Sequence, residues 1–318
     1  MDWEREWERL NPYQREAVTD ENKACLVSAN VGSGKTTVLT AKILYLHEVK
    51  HVSYRDMVVL TFTNKAASEI RERLVRADLS VTPEETENFG TFHGVALGLL
   101  KKRLPVETLG YTKDFMVMEP DEELELAHAL IAEKKLKIKY KNRLRKRLAA
   151  AERVSAAGDS GVAGRQDDLE ITEEKLRRNK MTFSDLMKNA CLLMAKEEGE
   201  EERSADIQWV IVDEVQDCDG KQLEFIDCFM AEGSKLFAVG DPNQVIYSWR
   251  GSVFNVFYTL KKRYQARELS LPINYRSSTS ILEAARCFLQ NGADLTGIRE
   301  QGSKIVVKRQ YDPFSEAC

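Results

Sequence analysis

No C-x-x-C pair occurs anywhere in the 318 residues; the six cysteines, Cys25, Cys191, Cys218, Cys228, Cys287 and Cys318, are scattered. That argues against zinc, an iron–sulfur cluster or a disulfide framework, and it fits a reducing compartment. No apolar run approaches the ~18 residues of a membrane span. The first 20 residues, with Trp3, Trp7 and many charges, lack the apolar centre of a secretion signal. A cytoplasmic protein without membrane contact is therefore expected. Net positive charge is also missing: 47 Lys and Arg against 51 Asp and Glu leave −4. A uniformly basic nucleic-acid surface is excluded, so any such contact must come from local patches and stacking side chains. What remains is an ordinary globular composition, 43% hydrophobic, and a length that suggests two domains at roughly 150 residues each.

The chain turns on residues 24–37, ACLVSANVGSGKTT. Ala24 to Val27 reads as a buried strand. It opens into the small-residue loop Ala29-Asn30-Val31-Gly32-Ser33-Gly34, then Lys35-Thr36, then a helix paced by Val38, Leu39, Ile43 and Leu44. Glycines let backbone N–H groups approach phosphate oxygens, and the helix start adds partial positive charge. Lys35 can reach the β- and γ-phosphates of a nucleotide, and the Thr36 hydroxyl can ligate magnesium. Ala29 stands where the strict pattern has its first glycine. A glycine-rich strand-to-helix turn with a chance lysine is the plainer alternative for this stretch by itself.

Upstream, LNPYQREAV (10–18) reads as a helix capped by Asn11 with Pro12 in its first position. Gln14 lies on its first turn, and its amide suits the donor–acceptor edge of adenine, as it would suit a solvated surface. Downstream, strand runs ending in polar residues recur. Val58 to Leu60 leads through Thr61-Phe62-Thr63-Asn64 into a helix, and FGTFHG (89–94) repeats the design. Phe62 and His93 can stack on or hydrogen-bond a nucleic-acid strand, or serve as core aromatics at strand ends. Residues 104–180 change character to mostly helical, with Asp121 as an expected N-cap. Nine of the fourteen residues from Lys134 to Arg147 are basic, flanking an apolar stripe, and SAAGDSGVAG (155–164) reads as a loop. That basic run suits DNA phosphates or simply solvent. Then Trp209 to Val212 forms a strand run directly before Asp213-Glu214. VGDPNQVIYSWRGS and LPINYRSS follow with polar residues at strand ends. Open parallel α/β sheets gather ligands at that edge. Two carboxylates there, downstream of a phosphate loop, complete an ATPase site. Asp213 would hold magnesium, and Glu214 would orient or deprotonate the attacking water.

Seven blocks, LNPYQREAV, SANVGSGKTT, LTFTNKAASEIRERL, GTFHG, VIVDEVQD, VGDPNQVIYSWRG and INYRSS, stand in the order found in the UvrD/Rep/PcrA family of superfamily 1 DNA helicases, which the chain closely resembles. The resemblance implies an α/β, RecA-like phosphate-loop NTPase with a parallel sheet flanked by helices and an inserted, mostly helical subdomain. It divides the chain into core residues 1–103, insertion 104–180, core 181–290 and, from 291 to 318, the start of a second core domain. It further implies that Gln14 reads adenine while Tyr275 stacks on it. ATP would be bound by Gln14, Ala29, Asn30, Gly32, Ser33, Gly34, Lys35, Thr36, Thr37 and Tyr275, with Mg2+ on Thr36 and Asp213. Catalysis would fall to Lys35, Asp213, Glu214, Gln244 as γ-phosphate sensor and Arg276 as a γ-phosphate contact. Phe62, Thr63, Asn64, His93, Tyr247, Trp249 and Arg250 would touch single-stranded DNA.

Some residues depart from the family pattern. Asn30 and Val31 are bulkier than usual and would crowd the loop slightly; Thr37 replaces a common arginine. Val215 and Cys218 depart from VDEYQDT with little expected effect. The later motifs, including a second arginine, belong to a second RecA-like domain. Ile305-Val306-Val307 would be its first strand, so an N-terminal portion of a longer helicase is expected. The intact protein would couple ATP hydrolysis to 3′–5′ movement on DNA at single/double-strand junctions, in a process such as repair. The other reading is a DNA-binding or regulatory module with a degenerate, non-hydrolysing ATP site.

Overall fold

The computed structural model describes residues 3–133, 166–196, 207–230, 233–244, 255–287 and 296–306. The basic run from Lys134, the 155–164 loop, and Tyr247, Trp249 and Arg250 lie outside the described residues. Within them run ten strands: β1 (Ala24–Ala29), β2 (Met57–Thr61), β3 (Phe89–Thr91), β4 (Met116–Met118), β5 (Lys180–Thr182), β6 (Trp209–Val212), β7 (Lys235–Gly240), β8 (Arg267–Leu271), β9 (Ile273–Ser278) and β10 (Thr296–Arg299). Six of them form one sheet in the order β3-β2-β6-β7-β1-β8, every neighbouring pair parallel.

The apolar runs of the sequence are the central strands, and they are continuous because both faces are covered. Alternate residues go to opposite cores. Ala24, Leu26, Val58, Leu60, Val210, Val212, Leu236 and Ala238 pack with the helices Phe92–Lys102, Phe183–Lys196, Gly220–Phe229 and Val256–Tyr264. Cys25, Val27, Met57, Val59, Trp209, Ile211, Phe237 and Val239 pack with Pro12–Thr19, Lys35–Glu48 and Asn64–Ala77. Parallel strands need crossovers, and these helices supply them. The path steps outward from β1 to β2 and β3, returns through β6 and β7, and lands β8 on the far side of β1. Ligand crevices of such sheets open where the path reverses, at the strand C-termini beside β1.

Strands β4 and β5 form a separate parallel ribbon, so the chain on either side of residues 119–179 meets there. Met118, Leu126 and Leu130 make a small cluster of their own with Ile171. The helix expected to be capped by Asp121 begins at Pro120 instead, which puts Asp121 inside the first turn. Proline's fixed φ suits that first position. Lys175, 7% exposed, pins this region through Glu123 (2.7 Å) and Asp185 (3.1 Å). Near the end of the described chain the strand is β10, paired with β9. Ile305 and Val306, expected in a strand, are exposed and belong to none.

Candidate active site

Strand β1 delivers Ala29 to the sheet edge, and the helix Lys35–Glu48 starts six residues on. Between them Ser33 N–H donates to the Asn30 carbonyl at 3.1 Å, closing a tight turn. Gly32 (φ +69°) and Gly34 (φ +87°) take left-handed conformations that favour glycine. A Cβ on Gly32 would meet Arg276 Cβ at 2.7 Å, and one on Gly34 would meet Gln14 Nε2 at 2.8 Å. No side chain caps this helix, so its first N–H groups are open to a ligand. The Ser33 hydroxyl is buried without a partner. A cradle with an orphan donor, open helix amides and a lysine fits a phosphate group. Val31 is 41% exposed, so its bulk is carried on the outside of the loop rather than within it. Asn30, Thr36 and Thr37 are half-buried around the same turn.

The acid wall comes from β6. Lys35 Nζ lies 2.8 Å from Glu214 Oε2, joining residues 179 apart in the chain. Glu214 sits in the left-handed region (φ 49°, ψ 41°), a strained conformation for a residue with a side chain. Gln216 Nε2 donates to Glu214 at 3.0 Å, and its Oε1 accepts the Asp241 N–H at 2.9 Å. Asp241 in turn accepts Gln244 Nε2 at 2.6 Å. Lys35, Glu214, Gln216, Asp241 and Gln244 thus form one hydrogen-bonded chain from the phosphate loop to the C-terminal end of β7, the strand lying between β1 and β6. Gln216 and Asp241 were not singled out from the sequence, although both lie inside the matched blocks. Asp213 is 7% exposed. Burial pushes its carboxyl up, the Glu214 charge adds to this and Lys35 opposes it, leaving it at about 6. A buried carboxylate held uphill in this way is suited to a divalent cation, and the Thr36 hydroxyl is half-buried at the start of the loop helix.

Gln14 and Tyr275 are brought to the same side of the loop. Asn11 caps the helix Pro12–Thr19 and shares a reciprocal capping box with Gln14. Its Nδ2 donates to the Tyr275 hydroxyl at 2.6 Å. Gln14 is buried, and its Nε2 donates to the Ser33 carbonyl at 3.0 Å. Both ends of that amide are therefore engaged within the protein. The Tyr275 N–H donates to the Gly32 carbonyl at 2.9 Å. Asn274, wholly buried, accepts the Arg276 and Ser277 N–H groups at 2.9 and 2.7 Å and donates to the Val31 carbonyl. Asn274 too went unread in the sequence, although it stands in the INYRSS block. It locks the Arg276 backbone to the loop, and the exposed Arg276 guanidinium has no partner among the described residues.

Phe62, Thr63, Asn64 and His93 gather at the ends of β2 and β3, separated from the phosphate loop by β6 and β7. Phe62 is half-buried and edge-on to Phe92, ring centres 5.5 Å apart. Thr63 caps the next helix by accepting the Ala66 N–H, and Asn64 is exposed. His93 stands edge-on to Phe183 at 5.5 Å. Burial lowers its pKa, so at neutral pH it offers a neutral ring rather than a cation. No described helix is long and apolar enough to cross a membrane.

A parallel sheet with a phosphate loop on one strand and an acid pair on the next strand but one defines a phosphate-loop nucleotide-binding protein of RecA-like build. The chain belongs to the UvrD/REP helicase N-terminal domain family, whose profile matches residues 10–265. It is 32% identical over 303 residues to the ATP-dependent DNA helicase Rep of Escherichia coli K12, covering 89% of this chain and 43% of that protein. To the ATP-dependent DNA helicase PcrA of Bacillus subtilis 168 it is 30% identical over 325 residues, 96% of this chain and 43% of that protein. The Rep helicase of Buchnera aphidicola subsp. Baizongia pistaciae is 29% identical over 291 residues, with 89% and 43% coverage. The chain spans less than half the length of these relatives.

Proposed function

We propose that this chain is the nucleotide-binding motor half of an ATP-dependent DNA helicase that works with a second RecA-like domain. The Lys35–Glu214 contact supports this reading best, because it joins phosphate loop and acid wall at the crevice edge of the sheet. Lys35 leaves Glu214 to meet the β- and γ-phosphates, and Glu214, released, accepts a proton from the attacking water or orients it. Thr36 and Asp213 hold Mg2+, which neutralises charge on the phosphate oxygens. Arg276 meets charge on the γ-phosphate. Gln244 senses it, linked through Asp241, Gln216 and Glu214 to Lys35. Gln14 exchanges its bond to Ser33 for adenine, and Tyr275 stacks on the base. Phe62, Thr63, Asn64 and His93, with Tyr247, Trp249 and Arg250, grip single-stranded DNA beside a junction. The small cluster around Met118 belongs to an inserted subdomain, 104–180, facing the duplex. Closure of the two domains on ATP shifts that grip and moves the protein 3′ to 5′.

Since one wall of the ATP crevice comes from the second domain, the 318 residues alone bind Mg-ATP weakly, hydrolyse it slowly and unwind nothing. ATPase activity stimulated many-fold by single-stranded DNA in these residues alone would overturn that division of labour. In the intact protein Lys35→Ala abolishes turnover; survival of turnover would sink the site assignment.

A further inference from the structure

At the far end of the phosphate-loop helix, about 20 Å from Lys35 for its 14 residues, three side chains meet that neither ATP nor DNA chemistry uses. His47 and Glu48 end that helix, and Asp78 is the C-cap of the helix Asn64–Ala77. One ligand atom from each, an imidazole nitrogen and two carboxylate oxygens, lie within 4.8 Å of one another.

Hydrogen bonding around them leaves one ring nitrogen of His47 facing one carboxylate oxygen of Asp78. His47 Nδ1 lies 3.0 Å from the Val52 carbonyl. A carbonyl only accepts, so Nδ1 carries a proton, and Nε2 is the ring atom left to meet a ligand. Asp78 Oδ1 is taken by the N–H and hydroxyl of Ser80 at 2.9 and 2.6 Å. Its Oδ2 faces His47 Nε2 at 3.9 Å, too long for a hydrogen bond. That spacing is close to the ~3.4 Å between two ligands of a tetrahedral ion with bonds of about 2.1 Å. Glu48 is exposed and can swing to close the third corner.

A second, independent feature marks the same corner. The His47 ring stacks on Tyr54, centres 4.0 Å apart and 20° between planes. Tyr54 is 2% exposed, yet its hydroxyl has no hydrogen-bond partner. A buried, unpartnered hydroxyl thus sits on the ring against which the His47 imidazole is stacked. The nitrogen in the donor set selects against Mg2+, which prefers oxygen alone, and favours a borderline metal.

We infer that His47, Glu48 and Asp78 bind one divalent transition-metal ion of the zinc class, clamping the far end of the phosphate-loop helix to the helix that follows β2. The scattered cysteines bear only on thiolate sites. This donor set is built from residues 30 positions apart that only the fold brings together.

The test is titration of the metal-stripped 318-residue chain with Zn2+ by calorimetry, with millimolar Mg2+ present, alongside Co2+ uptake followed by visible absorption. One ion per chain is expected, with a rise in Tm on Zn2+ addition. Glu48→Gln and Asp78→Asn should weaken binding 10- to 100-fold and His47→Gln should abolish it, while Asp213→Asn leaves it intact. Melting in chelator checks that each variant folds; the exposed Glu48 gives a variant that leaves packing untouched. Absence of binding at tens of micromolar Zn2+ would overturn the site. So would binding that survives His47→Gln, or a pH titration showing only a proton shared between His47 and Asp78.

Discussion

Replacing Asp213 by asparagine should stabilise the protein at neutral pH even as it disables the site. The carboxyl is raised from 3.8 to about 6, by burial first and Glu214 second, against the pull of Lys35. Its folded form therefore holds the proton more tightly than the unfolded chain does. Between pH of about 4 and 6 the folded state binds more protons, so stability falls as pH rises through that window, and the cost is complete by about pH 7.5. A shift of two units corresponds to about 3 kcal/mol. Asparagine removes the charge and keeps an oxygen for the Glu214 N–H, now 3.0 Å from Asp213 Oδ1. Burying its NH2 group returns about 1–2 kcal/mol, leaving a net gain of about 1–2 kcal/mol, or roughly 2–6 °C in Tm. Thermal unfolding followed by circular dichroism, without nucleotide or magnesium, measures it. At about pH 4.5 the wild-type carboxyl is already protonated, so the gain should vanish. A variant less stable than its parent at pH 7.5, or an equal gain at both pH values, would refute the reasoning.

Gly32→Ala and Gly34→Ala should each weaken nucleotide binding at least tenfold in a fluorescent-nucleotide titration. Each forces a left-handed alanine, costing about 1–2 kcal/mol, and drives its Cβ against Arg276 or Gln14. Asn274→Ala strips hydrogen bonds from the Arg276 and Ser277 N–H groups and the Val31 carbonyl, and should cost about 2–4 kcal/mol in urea unfolding. Because it also unties Arg276 from the loop, nucleotide affinity should fall with it. Lys42, wholly buried, donates to the Val18 and Asp20 carbonyls and lies 4.2 Å from the Trp209 ring centre. Burial lowers its pKa to about 8, so the unfolded chain holds more protons between about pH 8 and 10.5 and stability rises with pH there. Lys42→Met should flatten that rise in a Tm-against-pH series; an unchanged slope would show that another group sets it.

Much of the site was legible because its signals are local. The cap at Asn11, the glycines before Lys35 and the acids after β6 are patterns of a few residues, and each folds as its neighbours dictate. The inward residues of β1, β2, β6 and β7 were legible as runs but not as two alternating cores, because a strand buried on both faces shows no period in sequence. Gln216, Asp241 and Asn274 escaped notice for a different reason. Their roles lie in partners distant in the chain, such as Val31, 243 residues from Asn274, and no local pattern signals such a bond.

The sequence by itself determined that strands end in a glycine-rich loop with a lysine and in acidic residues, that Asn11 starts a helix, and which residue types suit ATP, magnesium and DNA. Tertiary structure alone decided the order β3-β2-β6-β7-β1-β8. That order puts β7 between loop and acids, and the ends of β2 and β3 beyond them. It decided that Glu214 rests on Lys35 and that Gln14 spends its amide on Ser33. It also joined His47 and Glu48 to Asp78 at the opposite end of the same helix. Caps, turns and periodicity arise from contacts within a few residues, which a sequence displays. Strand order and side-chain partnership arise from burial and pairing between distant segments, where many arrangements satisfy the same local rules and only the packed whole selects one.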